Sequence, residues 1–284
     1  MTTIAQAAFA HYREFPVPGG LADYFLCFWE QVITGSGEYV HRVLPDACVD
    51  IVFVNDAPPV VVGPWTDPLL VRFPAGTRVV GARLHPGRAP GILGIPAAEL
   101  LNQSVSFSDA RSASSARFRA AFELPGIVSR SAVSHSIVSQ SVVSQSTLAA
   151  ALAPAARLAR PADAAILASI GWLVRHPDGS VAQLSRSVGI SPRQLQRRFS
   201  AAVGYGPKMF QSVLRFQRLL NCARKATGPA PLADLAAMAG YADQAHMTRE
   251  VQRFAGGTPR VVIPAAECTL KMSDLFKTDQ PIPE

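Results

Sequence analysis

Arg197 and Arg249 lie 52 residues apart, at the same place in two copies of one pattern. The first copy runs Leu184-Ser-Arg-Ser-Val-Gly189-Ile-Ser-Pro-Arg-Gln-Leu195-Gln-Arg197-Arg-Phe199, then Gly204-x-x-Pro207. The second runs Leu235-Ala-Ala-Met-Ala-Gly240-Tyr-Ala-Asp-Gln-Ala-His-Met247-Thr-Arg249-Glu-Val251, then Gly256-x-x-Pro259. Leu195/Met247, Phe199/Val251 and Pro207/Pro259 share the 52-residue spacing, while Gly189 and Gly240 are 51 apart, so the second turn is one residue longer. A guanidinium offers a rigid fork of donors that fits two acceptors on a guanine edge. A Gln amide fits adenine in the same way, and a small Ala leaves room for a thymine methyl.

Such chemistry needs the side chains on one outward face. At roughly 100° per residue, Leu195 and Phe199 share one side of a helix, and Arg193, Gln194 and Arg197 share the other. In the second copy Met247, Val251 and Phe254 face inward, and Gln244, Ala245, His246, Arg249 and Arg253 face outward. Arg198, Lys208, Arg215 and Arg218 are placed to reach phosphates. One such pattern in a helical domain is commonly just two packed helices. Two copies in register, each with an outward Arg, are a much stronger signal.

The N-terminal half offers a different set. His41, Asp46, Asp50 and His85 are the metal-ligand types available to a β-barrel enzyme, but the close His-x-His pair with a following carboxylate is absent, and no metal is expected. Asp46 after Pro45 reads as a turn residue, and Asp50 as a hydrogen-bonded group within a strand. Trp29, Asp46, Trp65, Arg83 and His85 are the candidates for holding a small effector; Phe25, Phe28, Trp29 and Trp65 could line its pocket, though such aromatics are more often simply core. Gly87 to Gly94 is glycine-rich without the Lys-Ser/Thr ending of a phosphate loop. Cys27, Cys48, Cys222 and Cys268 form no C-x-x-C pair and read as free thiols.

The elements that must carry these residues divide the chain in two. From 22 to 85, short β-branched and aromatic runs alternate with Gly, Pro, Asn and Asp turns: Tyr24–Trp29, Tyr39–Leu44, Cys48–Val54, Val60–Val62, Leu69–Phe73 and Val79–Leu84. That spacing predicts a small barrel or sandwich. Helices are expected over Ala97–Leu101, Ser112–Leu124 and Thr147–Arg160. Between them, residues 131–145 are three tandem pentapeptides of Ser and Val, whose period matches neither helix nor strand, and read as linker.

After Pro161 every segment reads as helix. Asp163–His176, Ser180–Val188, Ser191–Ala202, Pro207–Lys225, Leu232–Ala239 and Asp243–Ala255 follow one another. Ser180/Gln183 and Ser191/Gln194 each make the Ser-x-x-Gln start of a capping box, and Pro192 suits a first helical position. Gly189 and Gly240 supply the left-handed turn inside each helix pair. The expected units are 1–125, a β-barrel-like sensory or dimerisation domain with helices; 126–160, linker and helix; 161–262, a helical domain with two helix-turn-helix units; and 263–284, a polar tail. The fold class is α+β with two domains.

Charge follows the same division. The chain carries a net charge of +7; residues 1–160 hold +1, residues 161–262 hold +8 and residues 263–284 hold −2. One basic stretch of about a hundred residues is the footprint of a polyanion-binding module. With 49% hydrophobic and 17% charged residues, the chain reads as globular, with no membrane span and no secretory signal, hence cytoplasmic.

The region from Asp163 to Val262 resembles the DNA-binding domain of the AraC/XylS family of transcription regulators. The resemblance rests on Leu184, Gly189-Ile190-Ser191, Leu195-x-Arg197-x-Phe199, Gly204-x-x-Pro207 and Arg215. In the second unit it rests on Ala236-x-x-Ala239-Gly240-Tyr241, His246-Met247-x-Arg249 and Phe254-x-Gly256-x-x-Pro259. Met247 and Val251 depart from the family's usual Phe. Arg42 to Asp50, Val62-Gly63-Pro64, Val79 to Gly87 and Gly94 to Leu100 are similar to the sensory half of a poorly characterised branch of that family, which implies a cupin-like barrel.

The resemblance implies sequence-specific binding to double-stranded DNA, without catalysis and without a cofactor. It also implies a homodimer through residues 97–124 and 147–160, a small-molecule effector, and RNA polymerase as a further partner. A cupin-like enzyme with a helical appendage and a protein-binding adaptor are the alternatives, separated by bound metal and by salt-dependent DNA affinity.

Overall fold

The computed structural model describes residues 10–107, 109–110, 144–226 and 230–265. The helix expected at Ser112–Leu124, the pentapeptide repeat and most of the tail lie outside the described residues. Among the described residues the N-terminal part holds eight strands: β1 (Ala10–Phe15), β2 (Phe25–Ile33), β3 (Glu38–Val43), β4 (Val49–Val54), β5 (Val60–Val62), β6 (Leu69–Pro74), β7 (Arg78–Leu84) and β8 (Ser104–Ser106). They form a six-stranded antiparallel sheet in the order β1-β2-β7-β4-β5-β8 and a two-stranded ribbon, β3-β6. The expected barrel is thus a sheet faced by a ribbon, with no ladder joining the two among the described residues.

Alternation fixes what each face buries. Ile51, Phe53, Val80, Ala82 and Leu84 point to one side and meet two helices, α1 (Ala89–Leu93) and α2 (Gln145–Leu158). Cys27, Trp29, Val52 and Val79 point to the other, with Tyr12 and Phe73 packed against them. Phe25 and Phe28, three residues apart, join the first face because the pairing of β2 with β7 slips between Phe25 and Cys27. Trp29 lies opposite Gly81, where any Cβ would come within 2.2 Å of the indole, so the indole occupies the space a side chain would take. The apolar stripe of α2, Leu148, Leu152 and Ala155, is spent on its own domain.

Among the described residues after 160 there are seven helices: α3 (Ala164–Arg175), α4 (Val181–Ser187), α5 (Pro192–Val203), α6 (Pro207–Lys225), α7 (Leu232–Ala239), α8 (Gln244–Ala255) and α9 (Pro259–Ala265). α9 carries the domain past its expected end at 262. One core runs through both helix pairs, with Leu184, Leu195, Phe199, Phe210, Phe216, Leu235, Met247, Val251 and Phe254 all buried. Met247 and Val251 are fully covered, so the smaller apolar side chains fill the places expected of Phe. Ala47 and Cys48, from the turn before β4, belong to this same core, so the two domains share apolar surface.

Candidate nucleic-acid interface

Both helix pairs have the layout expected from the repeat: α4-turn-α5 and α7-turn-α8. Gly189 (φ 68°) and Gly240 (φ 86°) take the left-handed conformation at the two turns. Ser180 and Ser191 each complete a capping box with Gln183 and Gln194. In the second unit the Asp243 carboxylate accepts the His246 N–H at 2.6 Å. These caps hold the N-terminal turns of α5 and α8, whose free N–H groups and dipole favour a phosphate.

On α5, Arg193, Gln194 and Arg197 are exposed while Leu195 and Phe199 are buried. On α8, Gln244, Ala245, Arg249 and Arg253 are exposed, His246 is half-buried, and Met247, Val251 and Phe254 are buried. Lys208 is exposed at the start of α6. The structure therefore presents nine of the expected residues at the surface of two like units, and leaves the other two, Arg198 and Arg215, half-buried beside acids. Gln194 offers only its NH₂ group freely, since its Oε1 accepts the Ser191 N–H at 3.3 Å in the capping box.

Arg198 and Arg215, expected as phosphate contacts, each stand beside an acid of the domain. The Arg198 guanidinium makes a two-pronged pair with Asp163, at 2.7 and 2.6 Å, and ties α5 to the start of α3. That pairing holds the Asp163 carboxyl below the usual carboxylate range. Arg215 lies 5.4 Å over the Tyr241 ring and 3.8 Å from Glu250, with the Gly240 carbonyl at 3.5 Å. Arg218, also expected at phosphate, donates to the Ala239 carbonyl at 3.4 Å. The negative end of α7 draws both arginines to it.

Asp163 and Glu250 are functional supports that the sequence reading missed. Glu250 also stands 3.8 Å from His246, so it steadies the base of the second outward face. A signal was present: residues 161–262 hold only five acids among 13 Lys and Arg, so each acid has several cations within reach.

In the N-terminal domain the structure brings three of the candidate effector residues, Trp29, Asp46 and Arg83, together with Asp50. Arg83 and Asp50 are cross-strand partners on β7 and β4. Their bonds measure 2.9 and 2.8 Å, Asp46 stands 3.5 Å from the same guanidinium, and the Trp29 ring lies 5.9 Å beneath it. Burial pushes the Asp50 carboxyl up to about 6, against the pull of Arg83. His85 sits outside this cluster, beside Ala22, Asp23 and Arg88. Trp65 lies in the loop after β5, its indole N–H buried without a partner. His41, Asp46, Asp50 and His85 form no metal-ligating group among the described residues.

His41 gives a pH test of this interior. Burial, and then Arg83, lower it from 6.5 to about 4. The unfolded chain therefore takes up the proton first, and stability contributed by neutral His41 is lost as pH falls from 6.5 towards 4. Asp50 has the opposite sign, because its folded value stands above the ordinary 3.8 and its contribution is lost as pH rises towards 6. In the protein the two slopes oppose one another. His41→Gln should leave the Asp50 slope alone, so its melting temperature should fall, relative to the parent, as pH rises through that window. Parallel melting curves of parent and variant across the window would show that His41 does not titrate there.

Residues 13–106 match a family described as a domain of unknown function (DUF6597), and residues 184–263 match one described as a helix-turn-helix domain. An AraC-like transcription regulator of Streptomyces antibioticus is 32% identical over 104 residues, 36% of this chain and 34% of that relative. The chain thus matches about a third of that relative's length. Among solved structures, an apo ToxT variant from Vibrio cholerae covers 90% of this chain, with 96% of its own length aligned, at a TM-score of 0.42 and 9% identity. A second ToxT structure covers 90%, with 98% of its own length aligned, at 0.39 and 8%. Among the described residues no helix is long and apolar enough to cross a membrane. The paired helix-turn-helix units, in the register of the sequence repeat, fall within residues 184–263, the part of the chain that matches the helix-turn-helix family.

Proposed function

We propose that this protein is a transcription regulator that binds a specific sequence of double-stranded DNA, laying α5 and α8 in two adjacent major grooves. The observation that carries this is the pair of capped helices with exposed Arg193, Arg197, Arg249 and Arg253 on one basic domain. Lys and Arg contacts to phosphate supply affinity, and the outward faces of the two helices supply sequence choice. The 19 residues of α6 span roughly 28 Å, close to the groove repeat of about 34 Å. The reading assigns binding, not catalysis, and a cytoplasmic location. It assigns a small-molecule effector to the N-terminal domain, and a second copy of the chain and RNA polymerase as further partners. Because the Leu148, Leu152 and Ala155 stripe of α2 is already covered, a dimer through residues 97–124 and 147–160 would use other faces of that region.

Selection from random duplex DNA with the full chain, followed by footprinting at fixed salt, tests this. Two protected blocks about one helical turn apart on one face are expected. Salt-dependent binding with no enriched sequence would reduce the domain to a basic surface.

A further inference from the structure

We propose that the N-terminal domain is a strut that fixes the separation of the two recognition helices, with Arg42 and Asn102 as its positioning residues. This inference rests on the DNA-binding reading above. The domain grips the C-terminal end of each recognition helix, away from the capped ends that face DNA. Gly204 ends α5 in a left-handed conformation and lies so close against Pro64 that a Cβ there would come within 2.4 Å of its Cγ. Gly256 ends α8 in the same way, and a Cβ there would stand 3.3 Å from the Cγ of Pro68. Arg42 on β3 donates to the carbonyl of Ala255, the last residue of α8. A cation from one domain thus caps the negative end of a helix in the other.

Pro64 and Pro68 sit in one loop, four residues apart, so their Cα atoms are separated by at most about 14 Å. The loop is pinned at its middle. The Thr66 N–H donates to the Asn102 Oδ1 at 2.7 Å, the Asn102 Nδ2 donates to the Thr66 Oγ1 at 2.9 Å, and the Asn102 N–H donates to the Pro64 carbonyl at 3.0 Å. A third point of attachment lies between the units. Gln217, buried midway along α6, donates to the Pro45 carbonyl at 2.6 Å. Three attachments define a plane, so the units cannot shift against each other without breaking one. Inserting one base pair between the two half-sites moves the second groove by about 3.4 Å and turns it by roughly 35°. A braced pair of helices cannot follow that displacement, and a pair joined by α6 alone can bend toward it.

The test uses the full chain and the sequence enriched by the parent protein, with one or two base pairs inserted between its protected blocks. Arg42→Ala changes an exposed side chain, and Asn102→Gly keeps the left-handed backbone (φ 55°) while removing the side-chain pins, so both should retain the fold. The parent should lose about tenfold or more in affinity on the shifted sites, the loss of roughly one good base contact. Each variant should lose clearly less, the pair together under about threefold, and Arg42→Lys should restore the parent's discrimination because an ammonium can still reach the Ala255 carbonyl. Equal spacing penalties in the parent and in variants that melt near the parent would overturn the strut while leaving DNA recognition intact. If the parent enriches no sequence at all, the DNA-binding reading fails and the strut with it.

Discussion

Alanine at Arg197 should weaken binding to the selected operator by about 1–3 kcal/mol, and alanine at Arg249 by a similar amount. That is roughly a 5- to 150-fold loss for each. Each guanidinium is exposed on the outward face of a capped helix, with its neighbours Leu195 and Met247 sealed in the core beneath it. A side chain so placed gives up little to bind DNA, and its rigid fork loses both hydrogen bonds at once when removed. The two sites lie on separate helices and share no partner, so the double variant should show additive losses. The diagnostic is the contrast between DNAs. If Arg197 and Arg249 read bases, the operator suffers, random duplex hardly changes, and one base pair loses its preference for each variant. Equal losses on operator and random DNA would reduce both side chains to phosphate contacts. Arg198 and Arg215 do not belong in this comparison, because their charges are engaged by Asp163 and Glu250.

What was legible in advance followed the range of the forces. Helix boundaries in the C-terminal domain are set by local chemistry: Ser180 and Ser191 with Gln three residues on, Gly189 and Gly240 at the turns, Pro207 at the head of α6. Each acts within one turn of the chain, so each could be read from the order of residues. Strands β1 and β8 escaped the reading because both stand at the ends of the six-stranded order. An edge strand needs little apolar surface, and Ala10–Phe15 and Ser104–Ser106 have little. α1 escaped because Pro90 and Gly91 lie within its five residues, a composition that reads as loop.

The partners of the arginines were hidden for a different reason. Asp163 and Arg198 are 35 residues apart, and Asp50 and Arg83 are 33 apart. Which carboxylate an arginine meets is decided by helix packing and by strand order, and β7 inserts between β2 and β4 with no local mark of it. The sequence could supply the cations and the face they share. It could not say which already stand beside an acid of the domain, as Arg198 does beside Asp163 and Arg215 beside Glu250.

Asp50→Ala should destabilise the N-terminal domain by about 3–5 kcal/mol, the range seen when one partner of a buried ion pair is removed. The Arg83 side chain is only 11% exposed, and a guanidinium cannot escape by releasing its proton. Removing Asp50 deletes two bonds of 2.9 and 2.8 Å and leaves the looser Asp46, at 3.5 Å, as the nearest compensation. Asp46 is already engaged, since its Oδ1 accepts the Cys48 N–H at 2.9 Å. Burying both charges costs solvation that their attraction offsets only in part, so the intact pair is a poor source of stability even though breaking it is costly. This asymmetry gives a sharper test than the single variant. Asp50→Leu combined with Arg83→Met removes both charges and should recover most of the loss. Denaturant unfolding followed through Trp29, whose ring lies under the guanidinium, reports on the affected site. A loss below about 1 kcal/mol in Asp50→Ala would place Arg83 in an exposed-pair regime and contradict its burial. The damage should also reach the helical domain, because Pro45, beside Asp46, supplies the carbonyl that Gln217 of α6 grips. A cluster that holds the turn before β4 in place is therefore also a foundation for the helix between the two DNA-reading units.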